Sequence, residues 1–272
     1  MSTPPSIIPA LELPKTIYSP TKGNRYDTTI DMPVPNSVLA IGAHPDDIEL
    51  GSGGTLAKWA SEGSVINYLI LTDGSKGTWD NSLTPQDLIE IRYAEQLEAV
   101  RILSSGSMQH IHRLDAIDGE LDCNRKHQRT ICRLIRSLKP DIVIGHDPWR
   151  RYRLHPDYRN AVFITIDAIV AARDHSFFPE LSMEPHRPQA LLLFEADQPN
   201  HIEDTSEYLD TKVSALLAHR SQMKSTFGIS DDTSSNSTRD DLMEIISYYA
   251  THHAQLTDSI SYGEAFHLIT EL

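Results

Sequence analysis

Short apolar runs alternate along this chain with longer stretches in which apolar residues recur every three or four positions. The runs fall at residues 38–41, 65–71, 141–145 and 190–194, with a more mixed one at 110–114. Runs this short, bounded by glycine and polar residues, are what strands buried on both faces look like. Helix patterns lie between them. Leu56, Ala57, Trp59 and Ala60 follow the first run. Thr84-Pro85-Gln86-Asp87 then offers a capping hydroxyl, a proline in the first turn and an acid at the third position. The expected face of that helix is Leu88, Ile91, Leu97, Val100 and Leu103. Ile131, Leu134, Ile135 and Leu138 step at i, i+3, i+4 and i+7. Further helices are expected over 161–172, after a cap at Asp210 with Val213, Leu216 and Leu217 inward, and over 242–256. Strands alternating with helices predict an α/β chain whose mostly parallel sheet is covered on both faces.

Length and punctuation set the domain plan. With 272 residues there is enough chain for one large α/β domain. Prolines crowd the start (Pro4, Pro5, Pro9, Pro14, Pro20, Pro33, Pro35), which predicts an extended arm over 1–35 and a single domain over 36–272. Residues 230–241 are polar throughout and read as a surface loop. A net charge of −14 argues against a nucleic-acid partner and against docking on anionic membranes. The N-terminus lacks a secretory pattern and no run of about eighteen apolar residues occurs, so a cytoplasmic protein is expected. Cys123 and Cys132 suit a reducing compartment as structural thiols. Oligomeric state is left open, a homo-oligomer included.

The polar residues that follow the strands carry the chemistry. The first run empties into His44-Pro45-Asp46-Asp47, at the strand end where open α/β sheets bind ligands. His44 and Asp47 lie three apart, so one turn can aim both at a metal ion. Asp46 points elsewhere, free to take a proton from a metal-bound water. One aspartate capping the next helix would leave His44 and the other carboxylate unexplained. The second run ends in Thr72-Asp73-Gly74-Ser75-Lys76-Gly77. The one at 141–145 leads through His146 and Arg150-Arg151-Tyr152-Arg153 to His155-Pro156-Asp157-Tyr158. His155 is the candidate acid and oxyanion partner, with Asp157 or another nearby carboxylate to orient its ring. Clustered arginines suit an anionic or hydroxyl-rich substrate. His112 reads as strand packing. Gly51-Ser52-Gly53-Gly54 lacks the GxGxxG spacing, which leaves nucleotide binding the weaker alternative.

Ala43-His44-Pro45-Asp46-Asp47 resembles the AHPDD signature of the PIG-L/LmbE-like family of zinc-dependent N-acetylglucosaminyl deacetylases. The stretches at 71–77, 155–159, 212–222 and 262–266 also resemble that family, in its order. The resemblance implies a Rossmann-like three-layer sandwich, the LmbE-like fold. It also implies Zn2+ as cofactor and removal of an acetyl or similar acyl group from an N-acetylglucosamine-type conjugate. His44 and Asp47 would be metal ligands, Asp46 the base and His155 the acid. The family's third ligand is the last residue of HPDH, and here that position is Tyr158. Three readings compete: Tyr158 binds the metal as a phenolate, His155 moves inward to replace it, or the chain is a non-catalytic sugar-binding or partner-binding relative.

Overall fold

The computed structural model describes residues 28–104, 109–229 and 236–272. In chain order they form β1 (Thr29–Ile30), β2 (Ser37–Gly42), α1 (Asp47–Ser61), β3 (Val65–Thr72), α2 (Pro85–Leu103), β4 (His110–Ala116), α3 (Arg125–Leu138) and β5 (Ile142–His146). Then follow α4 (Pro156–Ala172), β6 (Ala190–Phe194), β7 (His201–Asp204), α5 (Leu209–Ala218), α6 (Met223–Phe227), α7 (Asn236–Ala254) and β8 (Gly263–Ile269). The described strands make one sheet in the order β1-β7-β8-β6-β5-β2-β3-β4. Neighbours pair parallel except at β8, which runs antiparallel to both β6 and β7.

Side chains of a strand alternate between faces, and β2 shows both cores. Leu39 and Ile41 pack on one side with Ile131 and Ile135 of α3 and Ile164 and Ala168 of α4. Val38 and Ala40 pack on the other with Leu56 and Trp59 of α1, Val100 of α2 and Ala215 of α5. With both faces covered, alternation disappears and the strand reads as continuous apolar sequence. A smaller cluster joins α5 to α7 through Val213, Leu216, Leu242 and Ile246. The expected α/β three-layer arrangement is the one found.

Several boundaries differ from expectation, each for a physical reason. Most of the expected arm lies outside the described residues, but Thr29 and Ile30 pair with His201 and Ile202, so sheet structure begins before Val38. β7 and β8 were not expected, because charged residues such as Glu203 and Glu264 break their apolar character while being buried. Asp210 does not cap α5. Tyr208 holds that position without a side-chain capping bond, and Asp210 in the first turn takes a bond from Arg239 instead. Residues 236–241, expected as loop, belong to α7, while 230–235 lie outside the described residues.

On α2 the face is rotated. Ile91 and Leu97 are exposed, whereas Arg92 and Gln96 are buried with Leu88, Ala99, Val100 and Leu103. Two polar side chains thus occupy core-facing positions.

Candidate metal and catalytic site

From β2 the chain winds through β3 to β4, then crosses back to β5 on the other side of β2. Strand order therefore reverses between β2 and β5, and the crevice beyond their C-terminal ends is where such sheets place ligands. His44 follows β2 and His146 ends β5.

The turn after β2 is closed by its own side chain. Asp47 Oδ2 accepts the His44 amide at 2.6 Å, and the Asp47 amide reaches the His44 carbonyl at 3.4 Å. Asp46 between them has φ 97° and makes no side-chain cap bond, so capping does not explain it. A non-glycine residue held there stores strain of about 1–3 kcal/mol and needs fixing from outside. Both polar residues of α2 supply that. Gln96 Oε1 accepts the Asp46 amide at 3.2 Å, and Arg92 donates to the Pro45 carbonyl at 2.8 Å. Arg92 also bonds the carbonyls of Gly74 and Lys76, tying the loops after β2 and β3 together.

The His44 ring faces carboxylates on both sides. Its Nδ1 lies 3.3 Å from Asp47 Oδ2. Its Nε2 lies 3.1 Å from Asp157 Oδ2 and 3.2 Å from Asp118 Oδ1. His155, exposed at the start of α4, stands edge-on to His44 with ring centres 4.9 Å apart. Ligand atoms of His44, Asp118, His155 and Asp157 lie within 4.8 Å of one another, and this group could hold a metal ion. On the Asp47 side, His146 Nε2 approaches Asp47 Oδ2 to 3.2 Å. Tyr158 lies against both imidazoles, its ring centre 5.2 Å from that of His44 and 4.9 Å from that of His146.

Proton affinities diverge across this crevice. Burial opposes charge on His44, but Asp118, Asp157 and Asp47 outweigh it and hold the imidazole well above its usual range. Asp47 is held well below the carboxylate range despite burial, through His146 and His44. Neighbouring Asp46 moves the other way. Burial chiefly, with the charge of Asp47, pushes it up to about 6 against the pull of Arg92. Asp47 and burial also raise the Tyr158 phenol well above its usual value.

The structure brings His44, Asp46, Asp47, His155 and Tyr158 into one crevice. It adds Asp118, His146, Arg92, Gln96 and Glu195, which sequence reasoning passed over. His146 and Glu195 carried a usable signal, since each is a polar residue at the end of an apolar strand. The arginines are not free for substrate: Arg150 and Arg153 pair with Glu195, and Arg151 with Asp197. Gly51 does not cradle phosphate. A Cβ there would stand 2.3 Å from the Phe194 ring, so the glycine is needed for close packing. His112 lies on β4, away from this edge.

Adjacent carboxylates pushed in opposite directions beside imidazoles are what hydrolytic acid–base chemistry needs, and a hydrolase is the class this fold and site define. A family model described as PIG-L, GlcNAc-PI de-N-acetylase, matches residues 39–169. The chain is 37% identical over 188 residues to a diacetylchitobiose deacetylase of Thermococcus kodakarensis, covering 68% of this chain and 69% of that protein. It is 31% identical to the uncharacterized deacetylase YaiS of Escherichia coli, covering 68% and 90%. The structure of an N,N'-diacetylchitobiose deacetylase from Pyrococcus horikoshii superposes with a TM-score of 0.75 at 29% identity, covering 87% of this chain and 84% of that one. The chain belongs to the PIG-L family and has the fold of its LmbE-like deacetylases.

Proposed function

We propose that this protein hydrolyses the acetamido group of an N-acetylated amino sugar, releasing acetate and the free amine, with a divalent metal ion, zinc first among them, held by His44 and Asp47. The observation that carries the reading is the pair Asp46–Asp47, one carboxyl raised to about 6 and the other held well below its usual range. Asp47 is thereby an anion suited to a cation, and Asp46 a base matched to neutral pH. The donor set fits the group: imidazole nitrogen and carboxylate oxygen are what zinc takes. When bound, such an ion acidifies water and polarises an amide carbonyl.

Asp46 takes the proton of the attacking water. His155, at the exposed mouth, carries a proton to the leaving nitrogen. Asp157 orients His44: it is fully buried, accepts the Gly119 and Leu121 amides, and takes the His44 Nε2 side. That leaves Nδ1 for the ion beside Asp47. Trp79 and Trp149, exposed on the loops after β3 and β5, offer aromatic faces for a sugar ring. Among the described residues no helix is long and apolar enough to cross a membrane. Both cysteines are free thiols, which supports a reducing compartment such as the cytoplasm.

The test is acetate release from N-acetylglucosamine and N,N'-diacetylchitobiose by zinc-loaded protein, with Asp46→Asn as control. Release by the native chain and not by the control is expected. Sugar binding without release by the native chain would favour a non-catalytic relative instead.

A further inference from the structure

We infer that His146, the last residue of β5, is the third protein ligand of the metal ion held by His44 and Asp47. This rests on the metal site of the proposed function and extends it to a residue outside the motif that suggested it.

The two histidines reach Asp47 from the two strands that flank the switch point, each with a carboxylate near its other nitrogen. His44 presents Nδ1 to Asp47 Oδ2 at 3.3 Å with a carboxylate, Asp157, behind its other nitrogen. His146 presents Nε2 to the same oxygen at 3.2 Å, and Glu195 Oε2 stands 3.4 Å from its Nδ1. A carboxylate behind an imidazole is an arrangement typical of metal-bound histidine. The Ala43 amide also lies against His146 Nε2, at 3.4 Å. Nε2 faces a carboxylate oxygen where His146 is only 1% exposed, so a nitrogen and an oxygen able to bind one cation stand side by side away from water. Ligand atoms on a four-coordinate zinc with bonds of 2.0–2.1 Å lie about 3.3 Å apart, and both separations match.

The remaining space is filled from β6 and the β5 loop. Phe194 packs against the His146 ring at 4.4 Å between centres, and Arg153 lies over Tyr158 at 3.7 Å. Tyr158 is accordingly a wall of the pocket, and the imidazole that its position lacks is supplied by β5. Asp118 and Asp157, on the far side of His44, are already engaged: Asp118 accepts the Lys76 amide and stands 3.7 Å from Arg92, and Asp157 holds two amides.

Zinc affinity, measured by competition with a chromophoric chelator, tests the assignment in the native chain, His146→Ala and Tyr158→Phe, with circular dichroism to confirm folding. Tyr158→Phe is expected to stay within about threefold of native. His146→Ala should weaken binding by ~100-fold or more, at least the loss an orienting partner causes. If folded His146→Ala binds zinc as the native chain does, the inference falls and the deacetylase reading stands. A native chain that binds no zinc overturns both. Should His146→Ala fail to fold, cobalt-loaded His155→Ala decides by proton NMR. Two strongly shifted, exchangeable imidazole N–H signals are expected, and a single one overturns the assignment.

Discussion

Arg153 sits with its guanidinium carbon 3.7 Å from the centre of the Tyr158 ring while the same guanidinium pairs with Glu195. A cation laid on the ring disfavours positive charge beneath it, so an imidazole at position 158 would stay neutral, the form that binds metal. Tyr158→His is therefore expected to bind zinc at least as tightly as the native chain, read by isothermal titration calorimetry. Weaker binding would show that the ring is required as a phenol.

Asp46 is proposed to move a proton, not to hold the ion. Asp46→Asn should lower kcat by about 10²–10⁴-fold while zinc content by mass spectrometry stays at the native level. Loss of metal along with activity would reassign it as a ligand.

Burial raises Asp46 to about 6, and the base works only when ionised. As pH falls through that value the ionised fraction drops, so kcat/KM should decline about tenfold per unit on the acid side. A bound cation favours the carboxylate and moves this limb below 6, never above it. A pH profile from 4.5 to 8 checks the sign. Activity that rises as pH falls from 6 to 4.5 would contradict the assignment.

Carboxylates stand at both nitrogens of His44, Asp47 at Nδ1 and Asp118 with Asp157 at Nε2. Asp47→Asn is expected to abolish tight zinc binding, and Asp118→Asn to leave it within about tenfold, the lower end of the cost of disturbing an orienting partner. The reverse order, measured by the same chelator competition, would move the ion to the group formed with His155 and Asp157.

Glu264 tests the frame behind the site. Its carboxylate accepts the Gly54 and Thr55 amides and pairs with Lys212, which also donates to the Leu50 carbonyl. Leu50 and Gly54 lie one turn apart, so the ion pair bridges a turn of α1. Removing one partner of a buried pair costs roughly 3–5 kcal/mol. Glu264→Gln should show that loss in urea unfolding, whereas a change below about 1 kcal/mol would mean water takes over the carboxylate's bonds.

The parallel sheet and the turn at His44 were legible because both have local causes. Buried strands such as 38–41 must be apolar throughout, and a ligand three residues from its partner lies within one turn. What stayed hidden depends on distance in the chain. Arg92 and Gln96 reach a turn nearly fifty residues away, and in sequence they looked like the solvent side of α2. Asp118 lies just beyond β4, and nothing in its local sequence points to His44, seventy-four residues earlier. Glu264 breaks the apolar character of β8, yet it is buried against α1. Burial of a charge is invisible until its partner is known.

β8 has a consequence for how the protein is made. It separates β6 from β7, both of which are synthesised before it. On the ribosome, then, β7 and β1 have no bonded route to the rest of the sheet until residues 263–269 emerge. The bonds that Glu264 makes to α1 likewise wait for it. A message stopped short of codon 263 would yield a chain with every residue of the proposed catalytic crevice and no means of closing the sheet that supports it.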